Sequence, residues 1–230
     1  WEMTQVSLVS PHDGMGTNLF GHVLRGKLKR VVPRANDAVN ETWIADRDRF
    51  SYEAVNGEDR LTTPMLRTEA GWRVASWEEA LLAAARGLKA AGPNLGVLVQ
   101  PSATTEEAYL AARLARELGS NHIDHRLRQR DFRDASADPR APELGRSLES
   151  VDGLSGLLVI GSHLRAELPL LAHRVRKAVT RAGARVAFLD AVPRDYLFPV
   201  AAQLAVTPSQ WVAELAGVLA AVAEASGTPV

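Results

Sequence analysis

Three observations predict an α/β protein, with a small β-rich N-terminal subdomain followed by a Rossmann-like doubly wound parallel sheet. From residue 95 onwards, apolar runs of strand length alternate with longer amphipathic runs, a pattern that covers both faces of a parallel sheet with helices. Two S/T-x-x-E boxes mark helix starts, and glycines mark helix ends. Before residue 76, short extended runs are separated by Gly, Pro and Asn turn signals. The boundary is placed accordingly, with residues 1–75 as the β-rich subdomain and residues 76–230 as the Rossmann-like domain.

The elements follow in order. His22-Val23-Leu24 and Lys27 to Val32 flank Arg25-Gly26, a two-residue hairpin turn, and Pro33 ends the second strand. Gly14 and Gly16 lie in a loop before it, and Asn56-Gly57 and Gly71 mark later turns. Trp43, Phe50 and Tyr52 are expected to fill this small subdomain. Ser76-Trp77-Glu78-Glu79 starts a helix in which Leu81, Ala84, Ala85 and Leu88 share one face, and Gly92-Pro93 stops it. Leu95 to Val99 is expected to be a short buried strand. Thr104-Thr105-Glu106-Glu107 caps a helix to about Leu118, and Asn121 to Asp124 is a second strand. A polar, Pro-containing loop spans Asp134 to Gly145. Leu157 to Gly161 is the clearest strand. Pro169 to Arg181 is a helix with Leu170, Leu171, Val175 and Ala178 inward, closed by Gly183. Arg185 to Asp190 and Gln203 to Val206 are further strands, and Thr207-Pro208 opens the last helix.

Composition narrows the function classes. With 27 basic and 27 acidic residues the formal charge is +0, which argues against a nucleic-acid protein. There is no cysteine, so disulfides and thiolate metal sites are excluded. No apolar run reaches the ~18 residues a membrane span needs. Trp211 to Ala225 comes nearest but contains Glu214 and Glu224. The chain opens on Trp1, without an initiator methionine or signal-peptide pattern, and reads as a segment of a longer subunit.

Few motifs carry chemistry. Gly161-Ser162-His163 follows a strand and precedes a helix, the place where open α/β sheets bind ligands, but it lacks G-x-G-x-x-G. The plainer reading is a tight turn that uses glycine for its geometry. His122 and His125, with Asp124, have a metal-like spacing, yet neighbours on a strand alternate sides and no third ligand lies close in sequence. An ion network among Asp124, Arg126, Arg128 and Asp131 is the stronger reading. Arg126, Arg128, Arg130 and Arg133, with Arg174, Arg176, Lys177, Arg181 and Arg185, would put positive charge at one sheet edge. That could be an anion pocket, but interleaved acidic residues favour solvated faces and partner contacts. His12 and Asp13 are assigned no metal. Ser10, Ser102 and Ser162 have no context that would activate a hydroxyl, and no catalytic residue is assigned.

Several runs in combination carry a resemblance. They are Trp1 to Met3, Val32-Pro33-Arg34, Val39 to Ile44, Arg49 to Tyr52, Arg60 to Arg67 and Ser76 to Ala80. Together they resemble the molybdopterin-oxidoreductase-like part of the G subunit of NADH-quinone oxidoreductase, respiratory complex I. Asn121 to Phe132 is similar to a stretch of those G-type chains that lack the extra cluster. Many relatives carry four cysteines near the N-terminus, and this chain places Ser10, Asp13, Thr17 and Ala45 at those positions. Thiolates hold four-iron clusters, so this segment is expected to bind none. In molybdopterin enzymes the turn matching Gly161 reads G-S/A-N-P and contacts the guanine-dinucleotide part of the cofactor, but here His163 and Leu164 replace Asn and Pro.

The resemblance implies a piece of the peripheral arm of a proton-pumping complex, with other subunits of that arm as partners, on the cytoplasmic side of the inner membrane. It implies 2Fe-2S and 4Fe-4S clusters held by cysteines outside this segment, and no cofactor within it. The expected role is a non-catalytic structural segment. The alternative is binding of a nucleotide- or molybdopterin-like ligand at the sheet edge, with Gly161, Ser162, Asn121 and Arg126 as candidates. A third class is an interaction module acting through the basic face.

Overall fold

The computed structural model describes residues 2–125, 133, 135–137 and 143–228. It divides into two compact units. One holds Trp1–Met3, Val23–Arg30 and Phe50–Pro142, and the other holds Thr4–His22, Val31–Arg49 and Glu143–Val230.

The first three strands, β1 (Thr4–Val9), β2 (Asn18–Leu24) and β3 (Lys27–Pro33), form a sheet in that order. Arg25 (φ 50°) and Gly26 (φ 74°) turn β2 into β3. Both have left-handed backbone, which matches the turn to the natural strand twist. A short helix α1 (Asp46–Phe50) and a 3-10 segment at Ser51–Asn56 follow.

Trp43 and Phe50 do not fill this region, since each is 56% exposed. The interior there consists of Met15, Leu19, Val31, Ile44 and Ala45 with Ser10, Thr17, Asn18, Asn40 and Asp48. At Trp43, Asn40 explains the difference. Its Oδ1 accepts from Asn18 N (3.0 Å), and its Nδ2 donates to the carbonyls of Arg34 (3.2 Å) and Trp43 (3.1 Å). A buried amide thus closes the turn in place of a large ring, and Trp43 lies against His173 with ring centroids 5.6 Å apart.

In the first unit, β4 (Met65–Thr68) and β5 (Gly71–Val74) form an antiparallel hairpin. The helix α2 (Trp77–Ala91) starts at Ser76, whose Oγ accepts from Glu79 N (3.1 Å). Glu79 completes no capping box, because its carboxylate pairs with Arg73 instead. None of the residues of α2 is buried, and Leu81 is 61% exposed. The expected apolar stripe exists in the sequence but is uncovered among the described residues. Next come β6 (Gly96–Leu98), α3 (Thr105–Glu117) and β7 (His122–Asp124), with β6 and β7 parallel and Val97 opposite Ile123. At α3 the box is complete: Thr104 Oγ1 accepts from Glu107 N (3.2 Å) while Glu107 Oε2 accepts from Thr104 N (2.8 Å). Thr104→Ala is expected to cost about 1 kcal/mol in a urea melt, the usual loss for a helix cap.

In the second unit, β8 (Gly156–Ile160), α4 (Leu164–Glu167), α5 (Pro169–Ala182), β9 (Arg185–Asp190), β10 (Ala202–Ala205) and α6 (Trp211–Ser226) follow in order. The sheet runs β10-β9-β8, all parallel, with Leu158 opposite Ala187 and Phe188 opposite Gln203. The parallel strands are therefore divided between two sheets, one in each unit. The α5 helix forms because Leu170, Val175 and Ala178 share a buried face, Pro169 opens it and Gly183 ends it in left-handed backbone (φ 73°). Its face packs with Val151, Leu164, Val186, Phe188 and Tyr196, and the rings of Phe188 and Tyr196 stack at 3.7 Å. This core fixes the C-terminal ends of β8 and β9, where a parallel sheet presents its loops.

Candidate functional site

Two places bear on function, and both lie in the second unit. The first is the loop at residues 10–17 with the adjoining helix α1. Ser10 Oγ donates to Asp48 Oδ1 (2.5 Å), and His12 Nδ1 lies 2.7 Å from the same oxygen. The His12 amide donates to Ser10 Oγ (3.1 Å), and the Ser10 amide to the Thr17 carbonyl (2.9 Å). Asp13 Oδ1 accepts from Met15 N (3.0 Å), and its Oδ2 is paired with Arg47 at 2.6 Å. The Asp13 side chain is 4% exposed and that of Asp48 1%. Burying a carboxylate this deep is costly unless partner charges or donors replace its lost hydration. Arg47 also donates to the carbonyls of Ala166 (3.2 Å) and Glu167 (2.6 Å) at the end of α4.

Ser10, Asp13, Thr17 and Ala45 are thus all close to or inside the protein, but they do not fit an iron–sulfur cluster. Ala45 offers no donor, Ser10 and Asp13 are committed to protein partners, and the orphaned buried atoms nearby are Thr17 Oγ1, Arg47 Nε and Asp48 Oδ2. These are hard oxygen and nitrogen atoms, where a cluster requires soft sulfur.

The second place is the turn after β8. Gly161 has φ 62°, and its amide donates to the Leu189 carbonyl (2.8 Å). A Cβ at this position would lie 2.5 and 2.7 Å from Cζ3 and Cη2 of Trp211. The indole of α6 thus occupies the space beside the turn, held by Nε1 donating to the Val206 carbonyl (3.1 Å). Ser162 Oγ donates to Glu167 Oε2 and the His163 amide to Glu167 Oε1, both at 3.1 Å. The donors that would meet a phosphate already meet the chain's own carboxylate. A pyrophosphate-bearing pterin does not fit, because it would face like charge and a tryptophan ring. At the neighbouring strand end, Asp190 is bound by Arg194 (2.9 Å) and the Ala191 amide (2.6 Å). Burial pushes the Asp190 carboxyl up, but the bond from Arg194 and the Ala191 and Val192 amides outweigh it and leave the carboxyl low. Burial raises the Tyr196 hydroxyl, which lies in the aromatic core with no protein partner among the described residues.

Of the sequence candidates, Gly161 and Ser162 share this turn. Asn121 is exposed in the first unit, with its carbonyl accepting from Ile123 N (3.0 Å). Arg126, together with Arg128, Arg130 and Asp131, lies outside the described residues. An open depression of about 490 Å³ follows β6, lined by Leu98, Gln100, Ser102 and Glu107 among others. The Glu107 carboxylate caps α3 there and opposes an anion.

The basic cluster resolves differently from an anion pocket. Arg174 is buried and donates to Asp152 and to the carbonyls of Asp37 and Val39, and Lys177 pairs with Asp152 (2.6 Å) and Glu41. Arg176, Arg181 and Arg185 are exposed. Sequence reasoning missed Arg47, Asp48, Glu167 and Trp211. The one signal was Asp46-Arg47-Asp48-Arg49, a charged run directly after Ala45.

Comparison with known proteins adds the family. Residues 60–226 match the molybdopterin oxidoreductase family, and residues 3–53 match the NADH-ubiquinone oxidoreductase NDSU1/NuoG-like, 4Fe-4S domain. The chain is 35% identical over 181 residues to the NADH-quinone oxidoreductase G subunit of Streptomyces coelicolor, covering 70% of this chain and 22% of that one. It is 34% identical over 180 residues to NADH-quinone oxidoreductase subunit 3 of Thermus thermophilus, covering 78% and 22%. It is also 28% identical over 193 residues to the F420-dependent formate dehydrogenase subunit alpha of Methanocaldococcus jannaschii, covering 82% and 28%. The chain spans between 22% and 28% of the length of these relatives.

Proposed function

Because this chain belongs to the molybdopterin oxidoreductase family, we propose that it is a non-catalytic scaffold segment of a G-type subunit in an NADH-quinone oxidoreductase. The observation that carries the reading is the Asp13–Arg47 pair, at a position where the resemblance implies a cluster ligand. The parent complex would carry electrons from NADH to quinone through 2Fe-2S and 4Fe-4S clusters held by cysteines elsewhere in the longer chain. The segment would contact other subunits of the peripheral arm, on the cytoplasmic side of the membrane. Among the described residues no helix is long and apolar enough to cross a membrane.

Anaerobic reconstitution with iron and sulfide tests this. The expected outcome is no bound iron and no charge-transfer absorption, and stoichiometric iron would overturn the reading. A second reading, in which the turn after β8 takes a nucleotide-like anion, would require the Glu167 carboxylate to leave Ser162 Oγ and the His163 amide. Calorimetry with guanine nucleotides separates the two. Saturable heat with a rise in melting temperature would support the second, and silence at millimolar nucleotide retires it.

A further inference from the structure

We infer that Arg47 locks the 10–17 loop and the turn after β8 into one conformational unit, so that opening either place releases the other. The inference rests on the scaffold reading, in which neither place holds a cofactor. The geometry is continuous within the second unit. Asp13 holds the loop through its bond from Met15 N and pairs with Arg47 through its other oxygen. The same guanidinium reaches the carbonyls of Ala166 and Glu167, which close the four-residue helix α4 and have no helical partner of their own. With its backbone fixed there, Glu167 sets its carboxylate on Ser162 Oγ and the His163 amide. Arg47 therefore acts as a positioning residue, through Glu167, on a turn that its own side chain does not touch.

A planar guanidinium suits this role because it can serve an anion and two carbonyls at once, which a lysine ammonium does less well. The pair joins segments 34 residues apart, and the carbonyl bonds join segments 119 and 120 residues apart.

Hydrogen exchange read by mass spectrometry on the full chain tests the coupling. The reporting amides are Ala166 and Glu167, bonded to the His163 carbonyl, and Leu168, bonded to that of Leu164. Asp13→Asn keeps the shape and the Met15 bond but removes the charge. It is expected to speed exchange about tenfold or more in residues 10–17 and in residues 163–168 together. Arg47→Met should do the same more strongly, with Arg47→Lys between it and the native chain. Thr104→Ala, in the other unit, should leave both segments unchanged. If Asp13→Asn or Arg47→Lys opens residues 10–17 while residues 163–168 keep native protection, the coupling is wrong. It is equally wrong if neither segment responds to either variant. These two variants decide the matter if Arg47→Met fails to fold. Stoichiometric iron in the native chain would instead sink the scaffold reading, whatever the exchange pattern.

Discussion

Gly161→Ala is expected to destabilise the second unit by about 2–5 kcal/mol, a large effect for one methyl group. Two costs combine. An alanine in left-handed backbone costs about 1–2 kcal/mol, and the glycine stands at φ 62°. The new Cβ would also lie within 2.7 Å of two ring carbons of Trp211. A rigid indole cannot bend away, and moving it breaks the Nε1 bond to the Val206 carbonyl. Overpacking of this kind costs about 1–3 kcal/mol. Denaturant melts of Gly161→Ala, Trp211→Leu and the double variant separate the terms. In the Trp211→Leu background, Gly161→Ala should cost only the backbone part, and the shortfall from additivity measures the clash. Equal costs in both backgrounds would mean that the ring is not the obstacle.

This pair also shows where sequence reading stops. Gly161 was legible as a turn residue because strand, glycine and helix are contiguous. What fills the space beside it was not, because Trp211 arrives from 50 residues away and nothing in Pro208-Ser209-Gln210-Trp211 points back to the turn. The legible elements are those whose cause is local. The Arg25-Gly26 turn, the Thr104 cap and the Pro169-to-Gly183 limits of α5 each depend on a few adjacent residues. The β8–α5–β9 unit was legible because its apolar positions recur with strand and helix periods, although Leu158 and Ile160 of β8 are exposed.

Failures of sequence reading follow from the same physics. Trp43 and Phe50 look like core residues by side chain alone, yet both lie outside, Trp43 on a turn whose backbone Asn40 organises. The leucines of α2 have the right spacing but no partner among the described residues, and periodicity alone does not say whether a face is covered. The loop at 10–17 was legible as a place without sulfur. The pairing of Arg47 with Asp13 was not, since an ion pair between loop and helix has no sequence period. The acidic and basic residues at positions 46–49 gave the charges without the pairing.

The other large effect concerns Arg174. Arg174→Met should cost about 3–5 kcal/mol, the usual loss when one member of a buried charge network is removed. The side chain is 2% exposed, and it serves Asp152 (3.1 Å), the Asp37 carbonyl (2.6 Å) and the Val39 carbonyl (3.2 and 3.1 Å). Methionine fills similar volume but leaves two carbonyls without their donor and Asp152 with Lys177 alone. Arg174→Lys keeps the charge without the fork, so it should fall between the two. Acid should expose the same network. The hydrogen bond from Lys177 holds the Glu41 carboxyl below its ordinary value, against the opposing effect of burial, with the charges of Lys177 and Arg174 adding to the lowering. A carboxyl lowered on folding stabilises the native state above its unfolded pKa, and that contribution is lost as pH falls through the folded value. Native protein should therefore lose stability on acidification below about pH 4.5. Glu41→Gln should lose less over that interval, because the group that titrates is gone. A melt series from neutral pH down to pH 3 would show the two curves converging. Parallel curves would mean that Glu41 is not held by Lys177 and that this pair adds no acid sensitivity.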